Sequence, residues 1–269
     1  MEMDASYFAL NIAFLSVAAA LAMRFARAPR HIWLPAAVVS ALLALGRAYL
    51  AHRPEIEVAI FSWRDYPYFG SWHLYFVTAV FVIAARQLPR LRDRKAVLAL
   101  TAVVMFYVLG TSAVADFGLG PRPTGGVNPD GVCVQTTGYS CEAAAAVSLL
   151  HLYGIEVSED TMARLSLVTF VGAGVPGIYR GLRVLVEPLG YRVSVRRLDW
   201  EGVAQLRLPF LAQISSRFPI DHMVCVLRVT PHRLLVIDPS LGKHWWSKQS
   251  FLARWRRVVV IVEPPRGPA

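Results

Sequence analysis

A cysteine in the first turn of a helix has a chemical advantage. In this sequence Gln135-Thr136-Thr137-Gly138-Tyr139-Ser140-Cys141 runs straight into the alanine-rich segment Glu142 to Tyr153. Aligned peptide dipoles and unsatisfied N–H groups at such a position favour the thiolate, the nucleophilic form of the side chain. Gln135, six residues upstream, can present its side-chain amide beside the thiol and donate to a developing oxyanion. Nucleophile and oxyanion donor together read as acyl transfer, which also needs a base.

The sequence offers seven histidines. His31, His52 and His73 lie in or beside apolar runs of the N-terminal half. His151 is ten residues beyond Cys141 on the same helix, about 15 Å of rise away and out of reach. His232 falls in the turn Thr230-Pro231-His232, and His244 in an expected loop beside Trp245 and Trp246. His222 opens a strand after Pro219-Ile220-Asp221, a position from which it can face a cleft. The next strand ends at Asp238-Pro239, and a hairpin of this length brings that end near the start of the first strand. Asp238 can then orient the His222 ring through a hydrogen bond. An aspartate before proline is also a common turn initiator, so Asp238 alone is ambiguous. The combination with His222 makes it a site candidate.

What must position these residues follows from composition. The 269 residues are 55% hydrophobic and 17% charged, too apolar for an ordinary soluble protein of this size. The formal charge of +10 is spread in short clusters between apolar runs, so it does not form one nucleic-acid patch. Four runs, 7–23, 32–50, 69–85 and 96–114, each approach the roughly 20 residues a membrane-spanning helix needs. A cleaved signal peptide is disfavoured by the acidic start, Glu2 and Asp4. The loop after the first run carries Arg24, Arg27 and Arg30, and the loop after the third carries Arg86, Arg90, Arg92, Arg94 and Lys95. Positive residues stay cytoplasmic, which puts both termini on the outer face of a bacterial inner or plasma membrane. Phe61, Trp63, Tyr66, Tyr68, Phe69 and Trp72 read as an aromatic belt at that face.

Residues 1–115 thus form an expected transmembrane region. Residues 116–131, with Gly118, Gly120, Pro121, Pro123, Gly125, Gly126 and Pro129, read as a linker. Residues 132–269 make a compact domain. In it, Glu142 to Tyr153 is an expected helix, followed by Glu159 to Leu165 capped by Ser158 and a third helix ending before Gly190. Strands are expected at Tyr191 to Val195, Pro209 to Ile214, His222 to Val229, Arg233 to Ile237 and Val258 to Val262, with short helices near 199–206 and 247–255. Helices first and an antiparallel sheet second is α+β.

The order and spacing of Gln135, Cys141, His222 and Asp238 resemble the papain-like cysteine peptidases. More narrowly, they are similar to the bacteriocin-processing, double-glycine-leader peptidases (cysteine peptidase family thirty-nine). Asp238-Pro239-Ser240-Leu241-Gly242, with Phe251 in a following helix, fits that pattern as well. The resemblance covers Val132 to Val262. It implies a papain-like α+β fold with a Cys141–His222–Asp238 site, Gln135 in the oxyanion hole, a peptide or protein substrate, and no cofactor or metal. The sequence holds no GxxxxGK[ST] loop and hence no sign of the ATP-binding cassette that accompanies many such domains. It departs from the family at Glu142-Ala143, where Gly-Pro is usual. A glutamate there opposes a thiolate unless it points to solvent, although it also suits the first turn of a helix.

The other thiols have structural readings. Cys225 sits mid-strand among apolar residues, and Cys133 could pair with it in an oxidising compartment. The sequence therefore describes a membrane-anchored cysteine endopeptidase acting on secreted or membrane-proximal polypeptides. The alternative is a catalytically silent leader-binding module on the same anchor.

Overall fold

The computed structural model describes residues 6–66, 72–117, 122–170, 172–206, 209–216 and 221–265. Glu2, Asp4, Tyr68, Phe69, Gly118, Gly120, Pro121, Pro219 and Ile220, which entered the sequence reading, lie outside them. The chain divides into two compact units, one of Met1–Arg53 with Asp65–Leu119, the other of Pro54–Arg64 with Gly120–Ala269.

The first unit contains α1 (Ser6–Ala26), α2 (Arg30–Ala51), α4 (Trp72–Gln87) and α5 (Leu91–Phe117). They cover the described residues of the four apolar runs. By length and composition α1 and α2 are sufficient to cross a membrane, and the apolar stretch Tyr75–Gln87 of α4 is shorter. Small residues let the helices approach: Ala22, Ala26 and Ile83 form a buried cluster with Ala36, Ala37 and Ala79 against it. The Tyr75 hydroxyl donates to Asn11, so two buried polar groups satisfy one another. Elsewhere these helices turn large apolar side chains outward, with Leu42, Leu45 and Val103 over 60% exposed and Phe106 81% exposed.

The second unit is built on a six-stranded antiparallel sheet in the order β1-β6-β2-β3-β4-β5. The strands are β1 (Arg192–Arg197), β2 (Phe210–Ser215), β3 (Asp221–Val229), β4 (Arg233–Asp238), β5 (Gly242–Ser247) and β6 (Trp255–Glu263). Period-two alternation sends Leu211, Met223, Cys225, Ile237, Val258 and Val260 to one face. That face is covered by α6 (Cys141–His151), α7 (Glu159–Leu165) and α8 (Gly174–Val186). The other face buries Phe210, Ala212, Val224, Val236 and Val259 under α9 (Trp200–Ala204) and α10 (Lys248–Arg254), through Val203 and Phe251. The run Val258–Val262 is apolar throughout because β6 is covered on both faces. Ala143 to Ala146 are fully buried, and their small side chains bring the α6 backbone close to the sheet. The expected Ser158 cap is present, its side chain accepting from Thr161 N–H, and Asp199 and Ser247 likewise accept from Gly202 and Ser250 N–H groups.

Three segments differ from the sequence reading. His244, Trp245 and Trp246, expected in a loop, lie in β5, an edge strand paired with β4 from Arg233↔Ser247 to Asp238↔Gly242. Residues 122–131, read as linker, fold onto the domain. Asn128 Oδ1 accepts from Asp130 and Val132 N–H at 3.0 Å each, and Val127 bridges to Cys133. Finally, Pro54–Arg64 is part of this unit and contains a helix of its own, α3 (Pro54–Ile60). Glu55 accepts from Arg197 at 2.7 and 3.4 Å, and the Arg183 guanidinium lies 5.4 Å from the Trp63 ring centre. Trp63, expected in an interfacial belt, is instead packed with Val58 against the helix-side core.

Candidate active site

Cys141 is the first residue of α6 and only 4% exposed. The helix begins where Ala144 N–H donates to Ser140 C=O at 2.9 Å. Ser140 itself is turned back, its Oγ accepting from the Thr137 hydroxyl at 2.8 Å, which closes the Thr137–Ser140 turn on itself. The Met223 N–H acts to lower the pKa of the Cys141 thiol, so Cys141 lies near the start of β3. His222 is the preceding residue of that strand.

His222 Nε2 is 2.9 Å from Asp238 Oδ1. The register Cys225↔Ile237 places the end of β4 beside the beginning of β3, as the hairpin requires. Asp238 is 4% exposed. Its burial raises the carboxyl pKa, but the bond to His222 and the Ser240 N–H at 2.8 Å outweigh that and hold it below the usual range. With Nε2 engaged by Asp238, Nδ1 is the ring nitrogen left for proton exchange.

Gln135 joins the same constellation from the other side. Its N–H donates to Pro239 C=O at 3.0 Å, its Nε2 to Thr137 C=O at 2.9 Å, and its Oε1 accepts from Ser240 Oγ at 3.0 Å. One Nε2 hydrogen remains for an oxyanion. All four candidates are thereby connected: Cys141 to the His222–Met223 segment, His222 to Asp238, and Asp238 to Gln135 through Ser240.

Three residues hold this arrangement through contacts that the sequence does not announce; for one of them, Glu142, it shows only the charge beside Cys141. Ser240 was noted only as part of a family-like tail, yet it donates to both Asp238 and Gln135. Glu159 is fully buried and accepts from Gly125 N–H (2.9 Å), Thr136 N–H (3.1 Å) and Thr136 Oγ1 (2.7 Å). It fixes the residue next to Gln135. A Cβ at Gly125 would stand 2.4 Å from its Oε2, which explains glycine there. A buried glutamate directly after a capping serine carried no sequence signal, because that position ordinarily reads as solvent-facing.

Glu142 is the third. It does not point to solvent; it is 6% exposed and accepts from Ala173 and Gly174 N–H at 3.0 and 3.2 Å. Burial raises its pKa from 4.5 to about 7 despite those bonds and the nearby His222 charge. Cys141 responds to both. Burial first, then the Glu142 charge, push its thiol up to about 12, outweighing N–H bonds from Met223, Glu142 and Cys141 itself. The thiolate-favouring effect expected of the helix N-terminus is present, but it does not dominate. Burial and the Glu142 charge thus favour the thiol form of Cys141.

The remaining candidates lie elsewhere. His151 Nδ1 is 2.8 Å from Glu156 Oε1, and His244 Nδ1 is 3.0 Å from Gly242 C=O. Cys133 and Cys225, considered as a disulfide, are buried free thiols. Among the described residues no cluster of His, Cys, Asp or Glu is arranged to hold a metal ion.

The model of the peptidase C39 family matches residues 131–267, just over half of the chain. The chain belongs to the peptidase C39 family, and residues 131–267 are its cysteine peptidase domain, with the papain-like order of helices followed by antiparallel sheet. A probable functional amyloid protease of Pseudomonas aeruginosa is 28% identical over 136 residues, 48% of this chain and 58% of the relative. The lactococcin-G-processing and transport ATP-binding protein of Lactococcus lactis subsp. lactis is 25% identical over 46% of this chain and 17% of the relative. The chain thus spans under two thirds of either. Among solved structures, the peptidase domain of Streptococcus ComA aligns over 49% of this chain and 96% of its own, at 20% identity and a TM-score of 0.45.

Proposed function

We propose that the chain is a membrane-anchored cysteine endopeptidase that cleaves secreted or membrane-proximal polypeptides. Cys141 is the nucleophile, His222 the base, Asp238 the residue that orients it, and Gln135 an oxyanion donor. The observation that carries this reading is the 2.9 Å His222–Asp238 pair, on the strand whose Met223 N–H acts on the Cys141 thiol, in a domain of a cysteine peptidase family.

In this mechanism His222 Nδ1 takes the Cys141 proton as sulfur attacks the substrate carbonyl and the C–S bond forms. Gln135 Nε2 and the Cys141 N–H donate to the tetrahedral oxyanion. Its collapse breaks the C–N bond, and the imidazolium returns the proton to the leaving amine. Water then attacks the thioester with His222 again accepting a proton, which releases the acid and restores the thiol. The high thiol pKa requires this transfer to be coupled to attack, because little free thiolate exists at neutral pH.

Anchoring is supported by α1 and α2 and by the outward apolar side chains of the helical unit. The two remaining spans and an extracytoplasmic peptidase domain rest on the four apolar runs and the basic loops between them. Pro54–Arg64 follows the second run and packs within the peptidase unit. The loop it belongs to lacks an arginine cluster, which supports an extracytoplasmic side for that loop.

A second reading, a silent module that binds a leader or peptide, is favoured by one feature: the negative charge of Glu142 beside a buried thiol. Cys141→Ala separates the two. Mass spectrometry of membrane-proximal peptides, in cells carrying the wild-type or variant chain, is expected to show processed products only with wild type. The loss should be on the order of ten-thousand-fold or complete. Equal products from both chains would eliminate the peptidase assignment.

A further inference from the structure

Glu142 is the place where this site departs from its family's usual sequence, and three independent observations show it occupied in local architecture. Its carboxylate is withdrawn from solvent at the start of α6, next to the nucleophile. Both of its oxygens are engaged, Oε2 by Ala173 N–H and Oε1 by Gly174 N–H, where the chain enters α8. The approach is shaped for it, because Gly172, at φ +88°, would put a Cβ 2.8 Å from Oε2. The turn it holds is closed by Thr169 and Gly172, each donating its N–H to the other's C=O, and it carries Phe170. The Phe170 ring packs edge-on against Tyr139 at 5.5 Å, two residues before Cys141.

We propose that Glu142 is a positioning residue of the peptidase site: its carboxylate fixes the Gly172–Gly174 segment beside the nucleophile, and its charge keeps Cys141 in the thiol form. This rests on Cys141 being the nucleophile. The titratable and charged groups that face Glu142 are Cys141 on its own helix and His222 and Asp221 on β3. From α8 it meets only the backbone N–H dipoles already named. A negative Glu142 opposes the thiolate and favours the imidazolium, so its two effects on the Cys141–His222 pair partly cancel. Removing His222 exposes the effect on sulfur alone.

The test therefore compares His222→Ala with His222→Ala/Glu142→Gln in the full chain. Iodoacetamide is the probe, and peptide mapping resolves Cys141 from Cys133 and Cys225. Glutamine keeps the shape and removes the charge. Loss of the Glu142 charge is expected to lower the Cys141 midpoint by a unit or more, so that alkylation at pH 9 is at least about ten-fold faster in the double variant. Rates within two-fold of each other would overturn the charge role.

Hydrogen exchange in the single Glu142→Gln variant tests the positioning role. One amide oxygen can accept from only one side, and the new NH₂ faces an N–H donor, so the Ala173–Gly174 amides should exchange at least ten-fold faster than in wild type. Unchanged exchange there would overturn it. If Cys141 were no peptidase nucleophile, both readouts would still be measurable, and Cys141→Ala would leave peptide processing intact instead.

Discussion

Glu159 and Glu142 hold the two ends of the Gln135–Cys141 stretch, and they are held in different ways. Glu159 meets three donors, two from Thr136 and one from Gly125, and these tie the incoming chain to α7. Glu142 meets two, both at the entry to α8, and it adjoins Cys141 and His222. A carboxylate with enough donors far from the chemistry is an anchor. One with fewer, beside an ionisable pair, is an anchor that also acts through its charge. Buried acids at the same depth thus do different work according to their neighbours.

The largest effect expected from breaking this comparison is at the Glu159 end. Glu159→Ala leaves the N–H groups of Gly125 and Thr136 and the Thr136 hydroxyl, all part-buried, without their acceptor, at up to roughly 1–3 kcal/mol each. Water entering the space recovers part of that, so a loss of roughly 4 kcal/mol is expected. Thermal unfolding of the purified chain in detergent would measure it.

The Glu142 end differs in sign with pH. Its folded-state pKa is raised, from 4.5 to about 7, so its protonated form is the one that suits the fold. Stability on this account is fully present below pH 4.5, declines as pH rises through about 7, and is flat above. The span corresponds to about 3 kcal/mol. Glu142→Gln removes the titration, so the difference in melting temperature between variant and wild type should change across that window. A constant difference from pH 4.5 to 8 would mean that Glu142 does not titrate there.

Much of this arrangement was legible in the sequence. Cys141, His222 and Asp238 are chemically distinctive types, and Gln135 precedes the cysteine by a fixed interval. Ser158 announced its helix because capping is local. What escaped notice depends on long-range contact. Glu142 and Glu159 look like solvent-facing residues of a first turn until Gly172–Gly174 and Gly125 are folded against them. Pro54–Arg64 reads as a loop between apolar runs, and only Arg197 and Arg183, over a hundred residues later, reveal its place. β5 was missed because an exposed edge strand with Lys243, His244 and Ser247 lacks the apolar texture of its neighbours.

The smallest expected effect joins the two ends. Ser240 is exposed, and its hydroxyl makes one bond, to Gln135 Oε1, while its N–H supports Asp238. Ser240→Ala deletes the first and keeps the second. Stability should fall by only about 1 kcal/mol or less, the value of a single exposed hydrogen bond. Gln135 would retain its N–H bond to Pro239 but lose one restraint on the side-chain amide that faces the oxyanion. Turnover of a cleaved peptide is therefore expected to drop several-fold, with the pH profile unmoved because His222 and Asp238 keep their contact. A shifted pH profile in Ser240→Ala would show that Ser240 acts through Asp238, and that Gln135 and Asp238 are set independently.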